Sequence, residues 1–298
     1  MPVDRRLVTL TAADGEEHDA LLEIDVRAAR GRTRATGRRT AVVHVHGIMG
    51  NFLVGTLRFY PAPLARAGFP VLVLETRMAD VGQLFGKAIF QDAIQDVDAA
   101  VEWLRAQGFD TIVLSGYSSG ATLATRYAAV HHVPDLRALI CLGNPWGLPQ
   151  SMRDRADRFG AHPPYEELVR TVEEAIGDDP DAPEHDRLFL VERSRGPSNA
   201  PRDSEVYTYR TWWHSRGPAA VPAMAHRQIG QVRAPILLVQ GTDDEVVHPE
   251  EAERLAEVAR AAGNLDVTVV PIAGVGHSFE GGEIATRDAV VSWLRRRA

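Results

Sequence analysis

Six short apolar runs set the terms of the fold. Ala41–His46, Val71–Leu74, Thr111–Leu114, Ala138–Leu142, Ile236–Gln240 and Val267–Ile272 are rich in Val, Ile and Leu, and they are continuous rather than alternating. A strand with one wet face alternates apolar and polar residues. A continuous run is buried on both faces, as in a parallel sheet. Between the runs lie segments of helical period. In Asp92–Gln107, residues Ile94, Val97, Val101 and Leu104 share one face, with charges on the other, and Glu250–Ala262 and Ile284–Arg297 repeat the pattern. Strand–helix alternation of this kind implies right-handed crossovers and helices on both faces of the sheet. Leu7–Leu10 and Leu21–Val26 flank the turn-forming Ala13-Asp14-Gly15 and read as an N-terminal hairpin at the sheet edge. The expected fold is α/β: a mostly parallel, eight-stranded sheet flanked by helices.

One interval breaks the rhythm. Residues 148–233 contain no clear buried strand. They hold charged helical stretches such as Tyr165–Ile176, Pro/Gly/Ser-rich loops such as Arg195–Arg202, and an aromatic cluster of Tyr207, Tyr209, Trp212 and Trp213. So long a departure between two core strands is an insertion with its own structure, not a loop. The expected organisation is therefore a core of residues 1–147 and 234–298, with a mainly helical cap, 148–233, inserted after the sixth strand. No internal repeat or low-complexity tract is present.

Composition narrows the partners. The net charge of −7 disfavours nucleic acid, because no basic face is expected. Lys87 is the single lysine among 33 basic residues, a coding bias rather than a functional signal. Cys141 is the lone cysteine and lies inside an apolar run, which reads as a buried core thiol and excludes an internal disulfide. The first residues lack the apolar stretch of a secretory signal, and no run approaches the roughly 20 apolar residues that span a membrane. The expectation is a cytoplasmic protein without membrane partners, acting on a small molecule, and compatible with a homodimer.

The strongest chemical signal is Gly116-Tyr117-Ser118-Ser119-Gly120, which follows one strand and opens a helix through about Val130. A serine on a tight strand-to-helix turn needs small residues two before and two after it, so that strand and helix can approach. Gly116 and Gly120 meet this demand around Ser118. Around Ser119 it fails, because Tyr117 would take a small-residue position. The second signal is His46-Gly47-Ile48-Met49-Gly50 at the end of Ala41–His46. Acyl transfer needs donors aimed at a developing oxyanion, and the backbone N–H groups of Ile48 and Ser119 form the natural pair. Ser119 also opens a helix, where the dipole favours negative charge. The His44-x-His46 pair lacks further ligands nearby, so no metal is expected.

A serine hydroxyl is a weak nucleophile that needs a base, and the base needs a carboxylate to fix its tautomer. Gly274-Val275-Gly276-His277-Ser278 supplies His277 after the last strand. Gly241-Thr242-Asp243-Asp244-Glu245 supplies the acid after Ile236–Gln240: Asp244 is taken over Asp243, with Glu245 third. Among the remaining histidines, His131 and His132 end a helix, His248 sits beside the acid turn, and His162, His185, His214 and His226 fall in the insertion.

These four features together resemble the α/β-hydrolase superfamily, over roughly residues 5–147 and 234–298. The resemblance implies Ser118 as nucleophile, His46-Gly47-Ile48 as the oxyanion turn, His277 as base, and Asp244 as acid through the pattern Gly241-x-x-Asp244. Some members carry the acid after the preceding strand, but Gly143-Asn144-Pro145-Trp146 offers no carboxylate there. The turn Glu75-Thr76-Arg77-Met78 departs from the Gly-rich stretch of many relatives. The resemblance implies hydrolysis of a carboxylic ester through an acyl-enzyme, with no cofactor. A thioesterase or a C–C bond hydrolase would use the same triad. A ligand receptor, or a cofactor-free lyase or acyltransferase, would use the same fold. Trp146, Trp212 and Trp213, with Phe52, Tyr207 and Tyr209, are candidates to bind an apolar acyl or aryl group or else to form a core. Arg77 or Arg210 could meet a substrate carboxylate.

Overall fold

The computed structural model describes residues 3–48, 50–52, 58–79, 88–131, 133, 135–182, 186–193 and 203–297. The first half runs β1 (Asp4–Thr11), β2 (Glu17–Ile24), α1 (Val26–Thr36), β3 (Thr40–Val45), α2 (Pro61–Arg66), β4 (Val71–Leu74), α3 (Ile94–Ala106), β5 (Thr111–Tyr117), α4 (Ser119–Val130) and β6 (Leu136–Leu142). The interval that follows holds α5 (Leu148–Phe159), β7 (Ala161–His162), α6 (Tyr165–Ile176), β8 (Leu188–Arg193), β9 (Asp203–Thr208), α7 (Tyr209–Arg216) and α8 (Ala225–Gln228). The chain closes with β10 (Ile236–Gly241), α9 (Glu250–Ala261), β11 (Val267–Ile272) and α10 (Glu283–Arg297).

Eight strands form one sheet in the order β1-β2-β4-β3-β5-β6-β10-β11. The N-terminal hairpin pairs antiparallel within itself and with β4, and every other pairing is parallel. The continuous apolar runs serve both faces. Val43, Val45, Leu72, Leu74, Ile112 and Leu114 pack with residues of α3, α4 and α9 on one side. Val42, Val71, Val73 and Val113 pack with α2 and α10 on the other. Each such side chain contributes roughly 1.5–3 kcal/mol by leaving water. Cys141 is fully buried in this core, and burial pushes its thiol up to about 12. No helix among the described residues is long and apolar enough to cross a membrane.

Two helices went unread in the sequence. The second strand stops at Ile24 rather than Val26, because the Asp25 carboxylate accepts the Ala28 N–H at 2.9 Å and starts α1. Gly37, at φ +70°, ends that helix. No residue of α1 is fully buried, so it shows no apolar stripe. The short α2 begins on Pro61 and buries only Pro61, Leu64 and Ala65.

The insertion follows β6, and its helices α5, α6 and α7 are joined by a small antiparallel sheet, β7-β8-β9. β8 and β9 are wet on one face: Leu188 and Leu190 are exposed while Val191 and Tyr207 are buried. Such strands lack the two-sided burial that marks the strands of the main sheet. A separate core of Met152, Leu168, Val172, Val191, Tyr207 and Trp212 holds this layer together. Of the interval 148–233, the part through α7 has that core. Ala220, Ala223, Ala225, Ile229 and Val232 instead join the main core on the α4 side. The stretch 195–202 lies outside the described residues.

The topology fixes where a site can form. From β3 the chain moves outward to β4, then returns past β3 to β5. Ligands of open α/β sheets bind at such a reversal, beyond the carboxyl ends of the strands. The turn after β3 and the turn after β5 meet there.

Candidate active site

Ser118 sits between β5 and α4 at φ +53°, ψ −123°, a backbone state that non-glycine residues rarely adopt. The surrounding contacts explain what holds it. A Cβ on Gly116 would lie 2.3 Å from the Gly120 carbonyl oxygen, and a Cβ on Gly120 would lie 2.1 Å from the His46 carbonyl oxygen. Neither gap admits a methyl group, so the two glycines let α4 press against β5 and the end of β3. The Ser118 N–H donates to the Leu142 carbonyl at 2.9 Å, which ties the turn to β6.

Three side chains converge in series. Ser118 Oγ lies 3.0 Å from His277 Nε2, and His277 Nδ1 lies 2.8 Å from Asp244 Oδ2. Asp244 is buried, and its Oδ1 accepts the N–H groups of Val246 and Val247, both at 2.8 Å. Gln240 Nε2 donates to Oδ2 at 2.8 Å. Every partner of this carboxylate is a donor, so His277 Nδ1–H donates to it and Nε2 is left to accept from Ser118. Asp243, by contrast, is exposed, and so is Glu245. The Tyr117 hydroxyl donates to the His277 carbonyl at 3.0 Å, while the two rings lie 5.1 Å apart. Gly143, at φ +57°, leaves room for the imidazole: a Cβ there would stand 3.2 Å from His277 Cε1. Gln240, Tyr117 and Gly143 were not read from sequence as parts of the site. Gly143 opens the turn Gly143-Asn144-Pro145-Trp146, which holds no carboxylate.

The turn after β3 closes the other side. A Cβ on Gly47 would lie 2.8 Å from Tyr117 Cδ1 and 3.3 Å from Ser118 Cβ, so this turn rests on the elbow itself. His46 braces it: Nε2 accepts the Thr76 N–H at 3.1 Å, which places the proton on Nδ1, and Nδ1 donates to the Gly47 carbonyl at 2.7 Å. His44 turns elsewhere, to Ser115 Oγ at 3.0 Å. Ile48 and Ser119 both line the cavity that holds Ser118, and Ser119 is the first residue of α4. The first N–H groups of a helix have no acceptor within it.

That cavity has a volume of about 490 Å³ and lies between the sheet end and the inserted layer. Phe52, Tyr117, Leu148 and Val247 line it beside Ser118 and His277. Trp146, Trp212 and Trp213 do not. Trp212 is fully buried in the inserted core, 5.9 Å from the Tyr165 ring, and Trp213 packs against that same core. Trp146 stacks on His226 at 4.5 Å, with the Arg254 guanidinium 4.2 Å from its ring centre. The three tryptophans are packing residues. Of their aromatic companions only Phe52 reaches the cavity. Nor do the two arginines considered from sequence line it: Arg77 binds Asp96 and Asp14, and Arg210 binds Asp186. Arg155 and Arg216 line it instead.

Comparison with known proteins agrees with this fold. A family described as serine aminopeptidase, S33, matches residues 38–283. Among solved structures, an esterase of Pyrococcus furiosus is 16% identical, with 99% of this chain and 92% of that one covered at a TM-score of 0.65. Est1E from Butyrivibrio proteoclasticus is 15% identical, with 98% of each chain covered at a TM-score of 0.63. DcsB, solved with a substrate analogue, is 15% identical, with 99% of this chain and 100% of that one covered at a TM-score of 0.68. No curated protein matches the chain. The matched span runs from β3 through the start of α10 and takes in Ser118, Asp244 and His277, so the chain belongs to the serine aminopeptidase S33 family of α/β-hydrolases.

Proposed function

We propose that the protein is a serine esterase that hydrolyses a small carboxylic ester through an acyl-enzyme. The observation that carries this reading is the unbroken series Ser118–His277–Asp244, with Ser118 held at positive φ where α4 begins. Substrate enters the cavity beneath the inserted layer, which acts as a cap. His277 Nε2 takes the Ser118 proton as Oγ bonds to the ester carbonyl carbon. The carbonyl oxygen gains the charge and meets the backbone N–H groups of Ile48 and Ser119, each contributing about 2.7–4 kcal/mol to the transition state. His277 then protonates the departing alcohol. It next takes a proton from water, which attacks the acyl carbon, and returns that proton to Ser118. Asp244 holds the imidazole throughout, and the chain's own groups supply every proton transfer.

The ester as substrate follows the Pyrococcus furiosus esterase and Est1E, which share this fold. The test is labelling with a fluorophosphonate, followed by turnover of 4-nitrophenyl esters. The wild-type protein should label at Ser118, and Ser118→Ala should not. Absence of wild-type labelling, or equal labelling of the variant, would remove the nucleophile.

A further inference from the structure

Among the described residues, the charged side chains lining the cavity are mostly basic, in an acidic protein. They are Arg5, Arg58, Arg155 and Arg216 against Glu23, while the whole chain carries −7. Arg5 is spent on Glu23, and Arg58 is exposed. The other two belong to the inserted layer and are buried, at 7% and 3% exposure. Each sits on the inward stripe of its helix. On α5 that stripe is Leu148, Ser151, Met152 and Arg155, and on α7 it is Thr211, Trp212, Ser215 and Arg216. Arg155 Nε donates to the Ser151 carbonyl at 3.1 Å, which fixes its plane beside the cavity. The Arg216 backbone carbonyl accepts the Tyr165 hydroxyl at 2.8 Å, which anchors its helix end. Its guanidinium has no hydrogen-bond or ion-pair partner among the described residues, unlike those of Arg77 and Arg105, each held by two carboxylates.

A desolvated cation without a counter-charge is costly, and it persists where a ligand supplies the charge. The guanidinium fork matches a carboxylate with two parallel hydrogen bonds. We propose that Arg216, which shares the cavity lining with Arg155, anchors a carboxylate carried by the substrate, so that the preferred ester is an anion. This inference rests on Ser118 being the nucleophile.

Two esters with the same leaving group separate the possibilities: 4-nitrophenyl hydrogen adipate, which carries a free carboxylate, and 4-nitrophenyl methyl adipate, in which it is masked. The readout is the ratio of their kcat/KM values, so a general loss of activity in any variant cancels. The wild-type ratio should be at least about tenfold in favour of the acid. Arg216→Gln should cut that ratio by about tenfold or more, mostly through KM, tenfold being about 1.4 kcal/mol. Arg216→Lys should retain part of the preference, and Arg155→Gln should lower it less. A wild-type ratio at or below one overturns the proposal. So does an equal ratio in wild type and Arg216→Gln at any Tm; a lowered Tm beside it is the result expected if Arg216 only complements the C-terminus of α7. Either outcome leaves the esterase reading intact, whereas a wild type that fails to label at Ser118 removes that reading first.

Discussion

The two layers that meet over Ser118 place their side chains by different means. At the sheet end, backbone does the placing. Strand ends carry Ser118, Asp244 and His277, and glycines at 116, 120 and 47 set how closely the turns approach. In the inserted layer, side-chain packing does it: helices α5 and α7 are held over the cavity by a small core around Trp212. The difference teaches that reaction type and substrate preference depend on separate physical supports, which can be broken separately.

The largest effect should come from the sheet end. Ser118→Ala should lower kcat by roughly 10⁴-fold or more, and adding His277→Ala should cost little further, because the two act as a unit. Single-turnover and steady-state assays on the single and double variants check this. Additive losses would mean that the 3.0 Å contact between them is not used in the reaction.

Next is the inserted core. Trp212→Ala should lower stability by about 3–5 kcal/mol, read from denaturant midpoints, since the ring is fully buried. KM should follow stability only weakly. A large rise in KM with an unchanged midpoint would return Trp212 to the substrate and collapse the distinction between the layers.

Gly120→Ala tests the backbone support directly. Alanine normally strengthens a helix by about 1 kcal/mol relative to glycine. Here its Cβ would meet the His46 carbonyl oxygen at 2.1 Å, so the clash must push α4 away from β3. A displacement near 1 Å at the elbow should cost on the order of 10²-fold in kcat. Full activity would show that the close approach of α4 is not what poises Ser118.

The same contrast explains what the sequence revealed. The elbow was legible because its steric demand is local: small residues two before and two after Ser118. Both core faces were legible because each apolar run serves both sides of the sheet. Asp244 and Asp243 are adjacent in sequence and differ in burial, and only the family pattern Gly241-x-x-Asp244 separated them. The tryptophans were ambiguous for a similar reason, since an aromatic cluster on a helix reads alike as core or as binding wall. Arg155 and Arg216 were hidden by number, in a chain with 33 basic residues and one lysine. The usable signal was positional. Arg216 follows Trp212 by four residues and Arg155 follows Leu148 by seven, spacings that put a charge on a helix's inward stripe. Helix α1 had no stripe at all, only its Asp25 and Gly37 caps.

The last prediction concerns protonation at the sheet end. His44 is fully buried on β3, with Nδ1 3.0 Å from Ser115 Oγ, and Ser115 Oγ lies 3.1 Å from the Tyr60 hydroxyl. Burial, aided by the neighbouring His46, pushes its pKa down from 6.5 to about 3. The sign follows from proton counting. Between about pH 3 and pH 6.5 the unfolded chain binds a proton at His44 that the folded chain refuses. Stability therefore falls as pH drops through that window, by up to about 1.4 kcal/mol per pH unit from this group alone. Replacing it by glutamine, His44→Gln, removes the titration and should flatten the acid limb of stability against pH by about that slope, whatever it does to stability at neutral pH. Denaturant midpoints collected from pH 7 to pH 4 on both proteins measure the difference in slope. Parallel limbs would mean that the folded protein can protonate His44, and that this wall of the cavity admits water or a counter-ion. The sheet end would then share the openness to ligand charge that distinguishes the inserted layer.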